Sequence, residues 1–425
     1  MSAKSDFPAR RPEAILTGKR VISFFPQVIS PPSSGAHVGL WQRLESYMAL
    51  GAEVHLVAPQ ASLPRSSNWS PEAIQATESR GVHLHLAPAH FGTIDFWWAA
   101  LWQVTAKKVG RVIWPRPDSV YYWRPQLAAY WRRLVNSGQF DLAMVNYATW
   151  CQFLPSARRA GLKTVVEMHD LLARQYESRY EVAGRPPRTP KQIENYEASE
   201  VRLLGLADLI ISVNPEETRW VESKLGRPVL TLPFGLREAP CPTDPIPTDI
   251  LVVGSGIEHN KKGLRQFLQG AWPEILRRRP QTTLTVCGGV GEILTGTEAG
   301  TTRIRFAPDL APHYAGAKII LLCTVSGSGI KIKALEAMSH GGCIVAHDHS
   351  VEALEFDAGV HGEVVHDLGQ SAPIVVDLLE NLARRERLQS ACRLLFRSKY
   401  SFEATLIGLG NALSPLFAQR HPSSR

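Results

Sequence analysis

Two lysines and a glutamate stand in an otherwise apolar run, GSGIKIKALEAM, residues 327–338. At 100° per residue Ile330, Ala334, Ala337 and Met338 share one side of a helix, and Ile332 and Leu335 cover much of the rest. Lys331, Lys333 and Glu336 therefore enter largely apolar surroundings, where a charge stripped of water without replacement costs on the order of several kcal/mol. Gly327, Ser328 and Gly329 come just before them, after an apolar strand candidate. Glycines in such a strand-to-helix turn let backbone amides approach an anion, and the free N–H groups of a helix start favour phosphate. Lys331 or Lys333 would add positive charge there. Glu336 lies too far along the helix for the same phosphate but suits hydroxyl donors such as a ribose. The alternative is local: Lys333 and Glu336, three residues apart, pair on one flank. Residue types and spacing leave both readings open.

Other stretches offer related chemistry. In VVGSGIEHNKKGL (252–264), Ser255, Lys261 and Lys262 stand between a strand and an amphipathic helix, where a lysine reaches a diphosphate or is simply solvated. Gly254 and Gly256 are followed by Glu258, His259 and Asn260 and not by a third glycine, so the dinucleotide fingerprint is incomplete, and no GxxxxGK[ST] occurs. TLTVCGG (283–289) ends a strand on Gly288. PPSSGAHVGLWQRL (31–44) enters a helix with Ser33 or Ser34 as cap and Gly35 permitting close approach of a ligand. EMHD (167–170) ends a strand on His169 and Asp170. His169 would bind a hydroxyl or move a proton with Asp170 orienting it, or be structural with Asp170 as the next cap. No DxD-type acidic pair is placed to hold a cation, so no metal is expected in the site.

The elements that must position these residues alternate between strand and helix. Strand candidates run at 20–25, 53–58, 82–87, 140–146, 163–170, 208–213 and 229–234. After a stretch with five prolines (232–248) they resume at 249–255, 283–289, 303–307, 318–324 and 343–347. This pattern predicts two doubly wound, Rossmann-like α/β domains facing across a cleft, with ligands at the carboxyl ends of the strands. The expected division is 1–235, a Pro-rich linker 236–248, 249–400, and a closing helix and tail 401–425 that crosses back to the first domain. A length of 425 residues suits two cores.

The formal charge of +8 favours anionic partners without choosing among them. Six scattered cysteines without CxxC or Cys/His metal spacing argue against a zinc framework and for reduced thiols. No secretory h-region and no run of eighteen apolar residues occurs, so a cytoplasmic location is expected. Residues 95–134 mix Trp and Tyr with Lys and Arg, which suits a peripheral contact with the inner membrane face, stacking on single strands, or a domain core.

Taken together, these pieces resemble the retaining glycosyltransferases of family 4, with GT-B architecture. The strongest likeness spans FAPDLAPHYAGAKIILLCTVSGSGIKIKALEAMSHGGCIVAH (306–347) and includes K-x-K-x-x-E-A-M. VVGSGIEHNKKGL, MHD, ISVNPEE and PPSSGAHVGLWQRL fall in the family's order, so the resemblance covers about residues 20–410. It implies a nucleotide diphosphate sugar donor held mainly by the second domain, an unidentified acceptor, and no cofactor. It also implies that Glu336 holds the ribose, Lys262 faces the diphosphate, Gly35 lies near the transferred sugar and phosphate, and His169 contacts the sugar near the reacting carbon. His169, Lys262 and Gly35 are then the catalytic candidates. Ser255, Lys261, Gly288, Ser328, Gly329, Ile330, Lys331 and Lys333 join Glu336 on the donor side, and Ser34 and Asp170 lie on the sugar or acceptor side. Two positions depart from the family's pattern: Ser328 replaces an acidic residue, and Ser255 an arginine. Front-face transfer with retention is the expected chemistry. A nucleotide-sugar epimerase on a similar frame is the alternative, and a nucleic-acid-binding protein is a more distant one.

Overall fold

Runs of aliphatic and β-branched residues between helices stack into two sheets in a computed structural model that describes residues 14–32, 35–60, 69–88, 101, 125–174, 189–240, 242–326 and 330–418. The first sheet has β1 (Arg20–Phe24), β2 (Glu53–Pro59), β3 (Val82–Ala87), β4 (Leu142–Asn146), β5 (Lys163–Glu167), β6 (Leu209–Ser212) and β7 (Leu230–Thr231). They lie in the order β3-β2-β1-β4-β5-β6-β7, every pair parallel. The second sheet has β8 (Thr248–Val253), β9 (Leu284–Cys287), β10 (Thr301–Ile304), β11 (Ala317–Leu322), β12 (Ile344–His347) and β13 (Glu363–Val365). Its order, β10-β9-β8-β11-β12-β13, is again wholly parallel. Strands such as β4 are buried at every position, as a sheet covered on both faces requires. Chain order reverses between β1 and β4 and between β8 and β11, and the crevices at those points are where such sheets bind ligands.

Two expected strands move and one is new. The run at 229–234 shortens to Leu230–Thr231, because Pro233 has no N–H to donate to a ladder. The strand sought at 303–307 ends at Ile304, and Phe306 beyond it is exposed. Glu363–Val365 adds an edge strand too short to stand out in the sequence.

Each lobe is held by cores on both faces of its sheet. Between Thr231 and Thr248 the described chain carries only the isolated bridge Leu236–Ser401. The last helix, Phe402–Phe417, returns to the first lobe and buries Phe402, Leu406, Leu409 and Leu413 against Leu40, Leu44 and Tyr47. Gly235 makes this seat, since a Cβ there would lie 2.0 Å from Thr405 Oγ1 and 2.8 Å from the Ser401 carbonyl. Gly235→Ala is therefore expected to lower unfolding stability by roughly 1–3 kcal/mol through overpacking. Urea titration checks this, and an unchanged midpoint would show that the helix seat yields freely.

Candidate active site

The second lobe builds a pocket at its own switch point. It is lined by Val253 at the end of β8 and Gly254 after it, by Cys323 and Thr324 after β11, and by Asn260, Lys331, Lys333 and Ser350. Its floor is polar but satisfied. Asn260 Nδ2 donates to the Ser255 carbonyl at 3.1 Å and to Ser255 Oγ at 3.3 Å, while its Oδ1 accepts from Thr324 Oγ1 at 2.8 Å. Ser350 Oγ donates to the Leu322 and Thr324 carbonyls and accepts from the Thr324 N–H. The helix at the pocket begins at Ile332 and runs to Ser339, later than the Gly-Ser-Gly turn suggested, with Lys331 at its N-cap. It is not apolar all round: Lys333 and Glu336 lie on a half-buried flank. Lys333 Nζ sits 2.6 Å from Glu336 Oε2, which also faces the Tyr314 hydroxyl at 3.4 Å. The local pairing anticipated for residues three apart is thus the arrangement found.

Lys331 differs from its neighbours. Its side chain is only 14% exposed, and its Nζ lies 3.9 Å from Glu352 Oε1. Burial lowers its pKa, and the charges of Glu352, Asp170 and Glu217 oppose that shift. Asp170 and Glu217 belong to the first lobe, so Lys331 stands where the two lobes meet. Gly35 marks the same junction, because a Cβ on it would come within 3.0 Å of Ile332 Cγ1.

In the first lobe His169 follows the end of β5 and is 4% exposed. Its Nε2 lies 2.7 Å from Asn146 Oδ1, and Asn146 Nδ2 donates to the Phe24 carbonyl at 3.0 Å. Because Oδ1 only accepts, Nε2 carries the proton and Nδ1 is left as an acceptor. Asn146, not Asp170, therefore orients the ring. Tyr147 stacks on it at 4.5 Å, with Phe234 at 5.4 Å. Burial first, and the Arg43 charge second, lower the His169 pKa to about 3. The imidazole is neutral at physiological pH, which removes it as a general acid and leaves hydrogen bonding as its role. His169 (φ 56°) and Tyr147 (φ 66°) hold left-handed backbone, strain that concentrates at functional sites.

Beneath the ring lies a buried ion pair. Arg43 Nε and Nη2 donate to Glu167 Oε2 and Oε1 at 2.6 and 2.9 Å, and Nη2 also reaches the Leu232 carbonyl at 3.2 Å. Beside it Glu200 accepts from the Leu172 and Ala173 N–H groups, and burial raises its pKa to about 7. Burial, then the neighbouring Asp170 charge, raises Glu217 to about 8. None of Arg43, Asn146, Glu200 or Glu217 was singled out by sequence. The only advance signals were the polar end of LAMVN and the acids of ISVNPEE.

The fold thus brings Lys331 of the second lobe to the junction with Gly35 and Asp170 of the first, while Lys333 and Glu336 pair on the flank of the same helix and His169 lies beside Asp170 on the first lobe. Lys261 is drawn instead to Glu292 at 2.6 Å, and Lys262 on the same helix is exposed and outside the pocket lining. Ser255 is exposed and engaged by Asn260. Gly288 is required by packing, since its φ is 93° and a Cβ would meet the Gly254 carbonyl at 2.5 Å. Ser34, Ser328 and Gly329, and nearly all of 95–124, lie outside the described residues.

The neutral His169 has a pH consequence. Its folded-state pKa lies below the ordinary 6.5, so its contribution to stability is complete above about pH 6.5 and is lost as pH falls toward 3. His169→Gln is expected to flatten the fall in unfolding free energy across that window by up to one proton. Urea titrations at several pH values check this, and identical slopes would show that His169 titrates normally.

Residues 34–235 match the glycosyl transferase 4-like domain, and residues 247–381 match the glycosyl transferases group 1 domain. No curated protein matches the chain in sequence. Among solved structures, Anabaena HepE in complex with UDP-glucose is 13% identical, with 93% of this chain and 99% of that one covered at a TM-score of 0.61. Sucrose-phosphate synthase from Thermosynechococcus elongatus is 15% identical, with 94% and 99% covered at 0.64. TarM is 9% identical, with 93% and 99% covered at 0.65. At these identities the likeness is one of fold, and it spans both lobes. With both of its lobes matched by the two domain models of one enzyme family, the chain belongs to the group 1, family 4 glycosyltransferases of GT-B architecture.

Proposed function

We propose that this glycosyltransferase moves a sugar from a nucleotide diphosphate sugar to an acceptor, with retention and with ammonium and peptide N–H groups in place of a metal at the leaving phosphate. The observation that carries the reading is Lys331: a poorly exposed ammonium at the start of the helix Ile332–Ser339, in the switch-point pocket, facing the other lobe. The UDP-glucose and UDP complexes of HepE support the donor class by likeness of fold.

Breaking the bond from the anomeric carbon to the diphosphate oxygen places negative charge on the leaving phosphate. A positive group and helix-start amides already aimed there stabilise that state more than the ground state. Lys331 supplies the charge, Lys333 adds to it, and a bound ribose competes with Lys333 for the Glu336 carboxylate. Across the junction, the bare Nδ1 of His169 accepts a hydrogen bond from a sugar hydroxyl. Gly35 keeps the reacting atoms free of a side chain. The acceptor proton passes to the departing phosphate oxygen, which spares the protein a general base on that face. Lys262 ranks below Lys331 in this scheme because it stands outside the pocket. The described helices include none long and apolar enough to cross a membrane. Of residues 95–134, the described end forms a helix whose Leu127, Ala128 and Trp131 are buried in the first lobe's core, as the core reading expects. A cytoplasmic enzyme that meets a lipid-linked acceptor at the membrane surface through the rest of that segment is our proposal.

Lys331→Ala is expected to lower kcat by about 10²–10³, the scale of losing one preorganised stabilising group, with partial recovery in Lys331→Arg. Glu336→Ala is expected to raise the donor Kd roughly tenfold, measured by calorimetry with UDP-sugars. Chelator-treated enzyme keeps its transfer activity. Unchanged kcat in Lys331→Ala, or strict dependence on added Mg²⁺ or Mn²⁺, would overturn this proposal.

A further inference from the structure

A second cluster lies at the opposite end of the first sheet. Side chains alternate across a strand, so Glu53 and His55 share one face of β2, and His83 and His85 share one face of β3. The parallel register sets His55 beside His83. Glu53 Oε1 lies 2.9 Å from His55 Nε2 and 3.6 Å from His83 Nε2, and these three atoms all fall within 4.8 Å of one another. Tetrahedral zinc with N and O ligands at about 2.0–2.2 Å spaces its ligand atoms about 3.3 Å apart, so the set closes on an ion once the exposed His83 ring turns out of its stack on His55, whose centroid is 4.7 Å away.

The surrounding groups suit ligand duty. His85 Nε2 lies 2.9 Å from His55 Nδ1, the contact that fixes the tautomer of a metal-bound imidazole. Arg20 Nε holds the other carboxylate oxygen of Glu53 at 3.0 Å. The Phe140 ring stands edge-on to His55 at 5.0 Å and limits its rotation. His83, 60% exposed at its side chain, leaves an entry path and an open coordination position. β3 is the edge strand of its sheet among the described residues, and edges are commonly guarded by charge. Guarding needs no convergence of two imidazole nitrogens on one carboxylate oxygen, which is what the register produces.

We propose that Glu53, His55 and His83 bind one divalent transition-metal ion of the zinc class, with His85 and Arg20 as orienting partners. Glu53 opens β2 and His83 is the second residue of β3, so the ion sits at the amino ends of the strands, remote from the cleft at their carboxyl ends. It pins the outer edge of the first sheet and takes no part in sugar transfer.

The test uses full-length, untagged, chelator-treated protein titrated with Zn²⁺ by calorimetry and with Co²⁺ by visible absorption. One equivalent of Zn²⁺ is expected to bind and to raise the melting temperature. The Co²⁺ spectrum is expected to show ligand-field bands without a thiolate charge-transfer band. His83→Ala and Glu53→Gln, each at an exposed position, should weaken Zn²⁺ by well over tenfold, and His85→Ala by roughly tenfold. UDP-sugar affinity should stay unchanged in all three. Absent saturable binding, affinity unaltered in both His83→Ala and Glu53→Gln, or a thiolate band would each overturn the proposal.

Discussion

The Arg43–Glu167 pair is the constraint on which the first lobe depends. Two charges that are 2% and 1% exposed are tolerable only because the contact is bidentate and Leu232 accepts a further hydrogen bond. Loss of one partner would strand the other in an apolar core, at a cost of about 3–5 kcal/mol. The pair joins the first helix to the end of β5 and to the chain leaving β7. It therefore fixes three segments that meet under His169. Phe234 follows directly, wedged between His169 and Gly39, where a Cβ would lie 2.5 Å from the Phe234 ring.

From that constraint comes an asymmetry between the lobes. The first presents a ring kept neutral by burial and by a nearby guanidinium, on strained backbone held by Asn146. The second presents a cation whose charge is sustained by carboxylates on both sides of the junction. Glu200 and Glu217 are pushed upward by burial, so the acids behind the first lobe's face carry less charge at neutral pH than their number suggests. On the proposed reading, the Lys331 cation faces the leaving phosphate and the neutral His169 ring faces the sugar. Closing the lobes excludes water, the competing acceptor.

On the proposed reading of the histidine and glutamate cluster on β2 and β3, one sheet serves two purposes. Carboxyl ends face the cleft, while the amino ends of the edge strand β3 and its neighbour β2 gather Glu53, His55 and His83. The expectation of no metal rested on cysteine spacing and on the lack of an acidic pair in the cleft. A cross-strand cluster has no local spacing signature, since His83 comes 28 positions after His55.

What could be read directly was whatever short-range periodicity encodes. Alternating apolar runs and amphipathic stretches placed most strands within a few residues and marked the break between sheets. Lys333 and Glu336 were readable as partners because three residues of helix set their distance. His169 was readable as a strand-end residue, but Asp170 was the wrong partner for it: Asn146 lies on a neighbouring strand 23 positions away. Lys262 has the family's spacing and is exposed, while Lys331 is poorly exposed and feels the charges of Asp170 and Glu217 on the facing lobe. Sequence by itself determined two wound α/β lobes, the lysine–glutamate helix and the histidine at a strand end. Tertiary structure alone decided which charges are buried, which are paired and which face the junction, because desolvation and Coulomb energy depend on distances in space that no linear spacing records.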